Sequence, residues 1–342
     1  MLIMADARRI PLAAGCVQCV VTSPPYFGLR DYGTTGQIGL EATPDAYVAS
    51  LVEVFREVWR VLADDGVLWL NLGDSYAGSG KGGNPDEGKQ ATNKGSQSIG
   101  VLYGKVGDTA RQAVVTNVTR KTWEIGIKPK DLIGIPWRVA FALQADGWYL
   151  RSDVIWSKPN PMPESVTDRP TKAHEYLFLL TKNERYYYDA EAIKENVETV
   201  QPPRRFGRKE YEAAQREGGH VGARAVAVEN GQGTETSAGN HYWRVFGGES
   251  TRNKRSVWTV NTMPYAGAHF ATMPEKLVEP CILAGSRLGD RVFDPFIGSG
   301  TVGAVAERLG RRWVGTDLNP AYHALAKRRT AQRGIMFDEG VA

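Results

Sequence analysis

Hydrophobic residues follow two different periodicities along this chain of 342 residues. Short apolar runs such as 17–21 and 67–72 are bounded by turn residues and predict buried strands. Residues 44–62 instead repeat apolar residues at helical spacing, with Pro44 in the first turn, and predict an amphipathic helix. Strands and helices that alternate in this way favour an α/β fold with a parallel sheet.

The same patterns predict further elements toward the C-terminus. A turn is expected at 64–66, where two aspartates precede a glycine, and a helix is expected from 131 to about 146. The last twenty or so residues indicate one more helix and a tail. The other predicted strands are 148–156, 175–181, 291–293 and 312–315, and the other predicted helices are 274–285 and 302–309.

Two stretches lack this periodicity and are rich in basic residues. Residues 77–126 are rich in Gly, Lys, Ser, Thr and Asn and predict a long surface insertion. Residues 190–262 predict an inserted domain, with one helical run at 208–217. Residues 201–262 contain ten Lys and Arg but six Asp and Glu, and residues 77–126 contain seven Lys and Arg but four Asp and Glu. Such clustering indicates a phosphate-facing surface, with a solvated charged loop as the alternative.

Composition narrows the class of protein. The chain is 42% hydrophobic and 23% charged, which suits a folded domain with a large core. Cys16 and Cys19 form a C-x-x-C pair without a second pair, so they are interpreted as core residues, and the histidines show no metal-ligand spacing. No apolar run could span a bilayer and no signal peptide is evident. A cytoplasmic protein without membrane or metal is therefore expected.

The first candidate site is the run Asp294–Thr301, with the sequence DPFIGSGT, between a predicted strand and a predicted helix. A glycine-rich turn at a helix start brings backbone N–H groups close to a ligand. Because Gly298, Gly300 and Gly303 match the dinucleotide fingerprint, an NAD-dependent oxidoreductase is an alternative. However, only 39 residues follow Gly303, too few for the rest of a dinucleotide fold.

The charge of this turn points to a cationic ligand. A carboxylate at Asp294 would repel a pyrophosphate but could pair with the amino-acid moiety of S-adenosylmethionine, which has no phosphate. Asp317 stands at the tip of the next predicted strand, where its carboxylate could accept hydrogen bonds from ribose hydroxyls.

The second candidate site is Thr22-Ser23-Pro24-Pro25-Tyr26, where two prolines force the chain out of a buried strand. The amine of a nucleobase is a poor nucleophile because its lone pair is delocalised into the ring. The Ser23 side chain and the Pro24 carbonyl could accept both amine hydrogens and so free that lone pair. Tyr26 could stack on a flipped base. A Pro-Pro turn with a packed aromatic ring is the structural alternative.

Together, TSPPY near the start and DPFIGSGT near the end strongly resemble the β-class amino-methyltransferases of DNA. Those enzymes are circularly permuted and use S-adenosylmethionine on double-stranded DNA. The resemblance implies a Rossmann-like, doubly wound and mostly parallel sheet with one antiparallel strand. It implies a catalytic part at 1–190 carrying the insertion 77–126, a target-recognition insert at 191–262, and a cofactor-binding part at 263–342.

The resemblance also implies roles for individual segments and residues. Segments 156–160 and 169–176 look like those that shape the base pocket, and 269–277 resembles the segment that covers the methionine end of the cofactor. The implied catalytic residues are Ser23, Pro24, Pro25 and Tyr26. The implied cofactor-binding residues are Asp6, Phe270, Thr272, Pro274, Asp294, Pro295, Phe296, Gly298, Ser299, Gly300, Thr301, Asp317 and Asn319. The candidates for DNA contact are Arg30, Arg204, Arg205, Arg208, Lys209, Trp243, Arg244, Arg252, Lys254 and Arg255.

The first residue of the catalytic motif bears on the target base. Ser is commoner there in enzymes that make N4-methylcytosine and Asp in enzymes that make N6-methyladenine, so Ser23 favours cytosine. We therefore predict a site-specific DNA (cytosine-N4) methyltransferase of restriction–modification type, with adenine N6 as the alternative. RNA or protein-amide methyltransferases and a DNA-binding protein without catalysis are remoter alternatives. A homodimer and a cognate restriction endonuclease stay open as partners in a bacterial, archaeal or phage-infected cytoplasm.

Overall fold

The structure, a computed structural model, describes residues 1–29, 32–77, 127–128, 130–196, 251–262 and 272–334. These residues include a short 3-10 helix at Glu191–Ile193. The helices are α1 (Pro44–Val61), α2 (Ile135–Ala145), α3 (Glu275–Gly285), α4 (Thr301–Arg308) and α5 (Pro320–Gly334). The strands are β1 (Leu2–Met4), β2 (Val17–Thr22), β3 (Leu62–Leu72), β4 (Tyr149–Ser157), β5 (His174–Thr181), β6 (Glu195–Asn196), β7 (Thr251–Arg252), β8 (Val257–Thr259), β9 (Arg291–Asp294) and β10 (Arg312–Asp317).

Eight of the described strands form one sheet in the order β1-β10-β9-β2-β3-β5-β4-β8. Within it, β5 runs antiparallel to its neighbours β3 and β4, and all other neighbouring pairs are parallel. This arrangement confirms the predicted sheet, mostly parallel with one antiparallel strand. Parallel neighbours require long crossovers, which helices supply in α/β folds.

Strand β2 separates two hydrophobic cores. Val20 packs into the core that contains α1 and α2, whereas Cys19 and Val21 face the core that contains α3 and α4. Successive side chains of a strand point to opposite faces, so an uninterrupted apolar run is expected where both faces are covered. The sheet is therefore doubly wound, as predicted.

Helix α1 confirms the prediction made from its periodicity. The Thr43 side chain accepts a hydrogen bond from the Ala46 amide at 3.1 Å, and Pro44 occupies the first turn, where its missing N–H costs nothing. One stripe of the helix is fully buried against the sheet. Its members include Tyr47, Leu51, Val54, Phe55, Val58 and Val61.

Residues 64–66 do not form the predicted turn, because β3 continues through them. The pairing of β3 with β2 changes register between Val17 and Cys19, which marks a bulge. Carbonyl groups of the stretch accept hydrogen bonds from the side chains of Asn183, at 2.8 Å, and Gln18, at 3.3 Å. Tertiary hydrogen bonds thus hold a turn-like sequence within a strand.

Helix α2 begins later than predicted, at Ile135 instead of residue 131. Gly134 precedes it in the left-handed conformation, with φ of 77°. The Asp74 carboxylate accepts hydrogen bonds from the amides of Gly134, at 3.0 Å, and Ile135, at 3.1 Å. The cap of α2 therefore comes from the loop after β3. Because this residue is distant in sequence, the start of the helix could not be predicted from the residues around it.

The chain divides into two units, Met1–Ile193 with Arg255–Ala342, and Lys194–Lys254. The second unit is shorter than the predicted insert 191–262, because β8 belongs to the main sheet. There Trp258 is buried, with its ring centroid 5.8 Å from that of Trp69.

In the second unit, the described residues are those next to its two ends. Strands β6 and β7 pair there, with Asn196 opposite Thr251 and Glu195 opposite Arg252. The Arg252 guanidinium donates to the Glu195 carboxylate at 2.8 Å. The predicted helix at 208–217 and, apart from Ala77, the predicted insertion 77–126 lie outside the described residues.

Candidate active site

One cavity of about 590 Å³ lies at the carboxyl ends of the parallel strands in the first unit. Ser23 follows β2, Asn71 lies near the end of β3, and Asp294 and Asp317 end β9 and β10. All four line the cavity. Ligands of α/β sheets bind in this position because the carboxyl ends of parallel strands share one edge. The two motifs that lie far apart in the sequence therefore meet in one cavity.

Asp294 anchors the glycine turn 294–301. Its Oδ1 atom accepts hydrogen bonds from the Thr22 hydroxyl at 2.7 Å and from the Phe296 amide at 2.9 Å. The side chain is buried, and burial raises the pKa of Asp294 to about 7. The bond to Thr22 also joins β9 directly to the strand that carries the catalytic motif.

The turn after Asp294 is shaped by its glycines and by Asp317. Gly298 and Gly300 have positive φ values of 47° and 84°, which L-residues rarely adopt. The amides of Gly298 and Asn319 donate to the two carboxylate oxygens of Asp317 at 3.1 and 2.8 Å. Burial raises the pKa of Asp317 as well. Backbone groups therefore define this end of the cavity.

Arg329 supports the same turn from behind. Its guanidinium donates to the hydroxyls of Thr301, at 2.7 Å, and Ser299, at 3.1 Å, and to the Glu275 carboxylate at 3.2 Å. Ser299 and Thr301 line the cavity, and Glu275 begins α3 directly after the 272–274 segment. One side chain of α5 thus ties two segments of the cavity wall together.

Asp6 lies in the loop after β1 and also lines the cavity. Arg8 binds it through both guanidinium and backbone groups, with the shortest contact at 2.7 Å. Although partial burial opposes ionisation, the hydrogen bonds and charge of Arg8 lower the pKa of Asp6. A carboxylate held by Arg8 therefore stands in the cavity wall just after β1.

The Ser23–Tyr26 segment is held from the α1 side. The hydroxyl of buried Tyr47 donates to the Pro25 carbonyl at 2.8 Å. Gly39 lies so close that a Cβ atom there would be 3.1 Å from the Tyr26 carbonyl and 3.3 Å from the Pro25 Cβ. Since the Pro25 carbonyl already has a donor, Ser23 and Pro24 are the better candidates to bind an incoming amine.

Tyr26 joins a network of polar side chains. Its hydroxyl lies 2.6 Å from Glu175 Oε2, 3.1 Å from Asn71 Oδ1 and 3.4 Å from Ser23 Oγ. Asn71 Nδ2 donates to the same Glu175 oxygen at 3.1 Å, and Lys158 pairs with the other carboxylate oxygen. Burial and the neighbouring Glu175 carboxylate raise the pKa of Tyr26 well above its usual range. The phenol is therefore neutral and acts as a donor.

Most of the predicted site residues lie in the cavity wall. Pro274 and Gly300 are exceptions: Pro274 is the N-cap of α3, and Gly300 precedes α4 and packs against Ala326. The predicted residues that line the cavity are Asp6, Ser23, Pro24, Pro25, Tyr26, Thr272, Asp294, Pro295, Phe296, Gly298, Ser299, Thr301, Asp317 and Asn319. Phe270 lies outside the described residues.

The structure describes three of the residues predicted to contact DNA. Arg252 is paired with Glu195, as described above, and Lys254 ends the second unit. The Arg255 carbonyl accepts a hydrogen bond from the Trp258 ring nitrogen at 2.7 Å. The others lie outside the described residues: Arg30, Arg204, Arg205, Arg208, Lys209, Trp243 and Arg244.

Four functional candidates were not singled out by the sequence. Thr22 was treated as part of the motif without a role, and Asn71 is the polar member of a buried strand. Lys158 and Glu175 fall inside segments assigned to the base pocket, without roles of their own. For Thr22, Asn71 and Lys158 the usable signal was a polar or charged residue at the end of a predicted strand, a position that favours a ligand site. Glu175 lies near the start of β5 and gave no such signal.

The described residues contain no helix long and apolar enough to cross a membrane. In the same part of the chain, no three His, Cys, Asp or Glu side chains are grouped so that they could hold a metal ion.

Solved structures share this fold. The PvuII DNA methyltransferase, described as cytosine-N4-specific, has a TM-score of 0.56 at 16% identity, covering 100% of this chain and 87% of that chain. A protein from Thermus thermophilus, solved as a complex with S-adenosyl-L-methionine, has a TM-score of 0.52 at 20% identity, covering 97% and 93%. The fold is therefore the Rossmann-like α/β fold that these methyltransferase structures share.

Sequence similarity narrows the class to a family. The family described as DNA methylase matches residues 17–328. The type II methyltransferase M.Cfr9I of Citrobacter freundii is 45% identical over 322 residues, which cover 94% of this chain and 83% of the relative. M.SmaI of Serratia marcescens is 43% identical over 334 residues, covering 97% and 91%. The chain belongs to the DNA methylase family of N6/N4 amino-methyltransferases.

Family membership settles the class of reaction. The protein is a DNA amino-methyltransferase, as predicted from the two motifs. The dinucleotide fingerprint in the glycine turn therefore does not mark an NAD-dependent oxidoreductase.

Proposed function

We propose that this DNA amino-methyltransferase methylates the N4 amine of cytosine within a specific DNA sequence. The observation that carries the proposal is Ser23, a hydroxyl and not a carboxylate, at the start of the motif in the cavity wall. In enzymes that this motif resembles, Ser at that position is commoner in those that make N4-methylcytosine. The PvuII enzyme, which shares the fold, is described as specific for that amine.

S-adenosyl-L-methionine is the cofactor, and the residues of the cavity fit it. The cofactor supplies a methyl group bound to a positively charged sulfur, and it carries an ammonium but no phosphate. Asp294 and Asp317 are carboxylates at the glycine turn whose pKa values are raised by burial. A nearby cation would favour their ionised forms, which suits a cationic ligand better than a pyrophosphate. Asp6, already ionised beside Arg8, adds a further acceptor.

The residues at the other end of the cavity would activate the amine. Ser23 Oγ and the Pro24 carbonyl accept its two hydrogens and so draw the nitrogen lone pair out of conjugation. Tyr26 holds the flipped base against its ring. Because the methylated amine is cationic and loses its proton readily, no strong base is needed before transfer. The protein contributes position and electrostatics.

The target base can be tested directly. Unmethylated DNA is incubated with the purified protein and S-adenosylmethionine, and its nucleosides are measured by mass spectrometry. N4-methyldeoxycytidine is the expected product. N6-methyldeoxyadenosine would keep the family and the amine chemistry but overturn the assignment to cytosine, since both amines need the same activation.

We further propose that the chain is circularly permuted, with its catalytic part first and its cofactor-binding part last. The intervening segment, with the basic candidates named above and Arg30, reads the DNA sequence. The excess of basic residues in 201–262 supports this role. Since its relatives are type II methyltransferases, a restriction endonuclease of the same specificity is the partner we expect.

The proposed recognition segment can be removed with little disturbance of the remaining fold. Asn196 and Thr251 are opposite residues of β6 and β7, so a short Gly/Asn turn can replace 197–250 and close a hairpin. This variant is expected to lose DNA affinity in a gel-shift assay while keeping its affinity for S-adenosylhomocysteine. Sequence-specific binding of DNA by the shortened chain would contradict the proposed role of the removed segment in recognition.

A further inference from the structure

Glu175 lies at the centre of the network behind Tyr26. Its carboxylate accepts hydrogen bonds from the Tyr26 hydroxyl at 2.6 Å, from Asn71 Nδ2 at 3.1 Å and from Lys158 Nζ. The Asn71 amide is oriented by a second bond, from Nδ2 to the Tyr176 carbonyl at 3.1 Å. With three donors on one carboxylate, each side chain of the network has a defined direction.

The direction of the Tyr26 hydroxyl follows from its single proton. That proton can go to Glu175 or to Asn71, and the shorter contact to a charged acceptor favours Glu175. The oxygen of Tyr26 is then free to accept, and Ser23 Oγ lies 3.4 Å away as its donor. A chain of hydrogen bonds therefore runs from Glu175 through Tyr26 to the residue assigned to the amine.

The ring of Tyr26 is restrained at a second point. A Cβ atom added to Gly73 would lie 2.5 Å from Tyr26 Cε2, so the ring edge rests directly on that backbone. The hydroxyl is fixed by Glu175 and the ring edge by Gly73. Two contacts at separate points leave the ring little freedom to rotate.

The contribution of the Lys158–Glu175 ion pair to stability does not explain its position in the cavity wall. The two side chains are only 17% and 15% exposed, and desolvation makes such a pair a poor source of stability compared with apolar residues. Lys158 also lies over the Trp156 ring, 4.3 Å from its centroid, which restricts the ammonium further. A paired charge in this position can instead specify a geometry.

We propose that Glu175, held in place by Lys158, is a positioning residue for methyl transfer that orients Tyr26 and, through its hydroxyl, Ser23. The role rests on the proposed functions of Ser23 and Tyr26. It requires that Glu175 act through Tyr26 and not through the stability of the fold. A misplacement of about 1 Å in the position of an activating group can slow a reaction about a hundredfold.

A double-mutant cycle tests this coupling. The variants are Glu175→Gln, Tyr26→Phe and their combination, measured by the single-turnover rate of methyl transfer and by affinity for S-adenosylhomocysteine. Glu175→Gln is expected to lower the rate about tenfold or more. In the Tyr26→Phe background the same change should have an effect of about twofold or less, because the hydroxyl through which Glu175 acts is gone. Cofactor affinity should stay within about twofold in all three.

Two further variants separate positioning from folding. Glu57→Gln breaks another half-buried ion pair, with Arg60 on α1 away from the cavity, and should leave the rate unchanged. Glu175→Gln combined with Lys158→Met removes the unpaired charge, so it should recover thermal stability relative to Glu175→Gln alone without recovering the rate.

The outcomes are distinct. Additive rate effects of Glu175→Gln and Tyr26→Phe, or a Glu175→Gln rate within about twofold of the wild type, would overturn the positioning role. Recovery of the rate by the charge-neutral double variant would overturn it also, since stability alone would then explain the loss. If the wild-type protein methylates DNA and Ser23→Ala has no effect on its rate, the proposed amine site fails, and the step of the inference from Tyr26 to Ser23 fails with it. The coupling of Glu175 to Tyr26 is then judged by the double-mutant cycle alone.

Discussion

The two ends of the cavity, which we propose bind the cofactor and the target base, are built in different ways. The cofactor end is formed mostly by main-chain groups: amides of Phe296, Gly298 and Asn319 hold the carboxylates of Asp294 and Asp317. The base end is formed by side chains that hold one another. They come from separate places in the sequence: Ser23, Tyr26, Asn71, Lys158 and Glu175.

This difference determines what each end tolerates. A turn built from backbone groups depends on φ angles and on space where a Cβ would stand, so its sensitive positions are glycines. A network of side chains depends on strand register, since β3 must place Asn71 opposite Leu177 and β4 must place Trp156 opposite Glu175. Backbone changes should therefore damage the first end, and loss of single polar atoms the second.

The largest effect is expected for Gly300→Ala. Gly300 has φ of 84°, and a Cβ there would lie 2.9 Å from the Ala326 Cα, so the left-handed conformation and a backbone clash both oppose the change. We expect a loss of about 2–5 kcal/mol in the free energy of unfolding, together with weaker cofactor binding. Urea denaturation and calorimetry with S-adenosylhomocysteine provide the measurements.

Gly289→Ala is the matched control for this glycine. Gly289 has φ of 78° but open space around its Cβ position, so only the conformational cost of about 1–2 kcal/mol applies. Its cofactor affinity should equal that of the wild type. Equal losses of stability in the two variants would show that the contact with α5 does not constrain the turn.

The buried Asp294 should make the stability of the ligand-free protein depend on pH. Its folded pKa of about 7 exceeds the unfolded value of 3.8, so the folded state retains a proton that the unfolded state releases. The free energy of unfolding should therefore fall as pH rises from about 4 to about 7 and level off above, by an amount on the order of a few kcal/mol. Urea denaturation at several pH values gives the curve.

Asp294→Asn isolates this contribution. The asparagine can keep an acceptor for Thr22 and Phe296 but does not titrate, so the difference between the two curves belongs to the carboxyl group. Parallel curves for wild type and variant would mean that the buried carboxyl group is not the source of the pH dependence.

Arg329→Met should weaken cofactor binding about tenfold, because charged hydrogen bonds to Ser299 and Thr301 disappear and the turn loses its support. Arg328→Met is the control, since Arg328 is exposed on the same helix. Isothermal titration with S-adenosylhomocysteine compares the two. Equal affinities would show that backbone bonds alone maintain the turn.

The smallest effect is expected for Tyr47→Phe. It removes the donor to the Pro25 carbonyl and leaves that partly buried acceptor unsatisfied, at a cost of about 1–2 kcal/mol, with a decrease in turnover of a few fold. Tyr149→Phe, at an exposed tyrosine, should change neither stability nor turnover. A Tyr47→Phe variant with normal turnover would indicate that the position of Pro25 is fixed by Gly39 alone.

The sequence predicted the cofactor end better than the base end for a physical reason. DPFIGSGT is a continuous segment whose turn depends on its own glycines, so its place in the wall of a ligand cavity could be predicted before the fold was known. Lys158 and Glu175 are 17 positions apart and meet only because β4 and β5 pair in one register. Their segments were assigned to the base pocket, but their contact could not be predicted without that register.

The errors in element boundaries have the same origin. The turn expected at 64–66 was overridden by hydrogen bonds from Gln18 and Asn183, and the start of α2 was set by Asp74. The C-terminal limit predicted for the insert, residue 262, lies beyond the end of the second unit because β8 pairs with β4 in the main sheet. In each case a tertiary partner outweighed the local preference. The faces of β2 and α1, where local pattern and burial agree, were predicted correctly.

The position of β2 between β3 and β9 has a consequence for protein synthesis. β1 and β2 leave the ribosome long before their partners β10 and β9, because all the other described strands lie between them in the sequence. Until residues 291–317 emerge, a nascent chain has an apolar strand with one unpaired edge, which invites aggregation and protection by chaperones. The glycine turn 294–301 is also made after the Ser23–Tyr26 segment. Until these residues have been made, the cavity lacks the wall formed by Asp294, the glycine turn and Asp317.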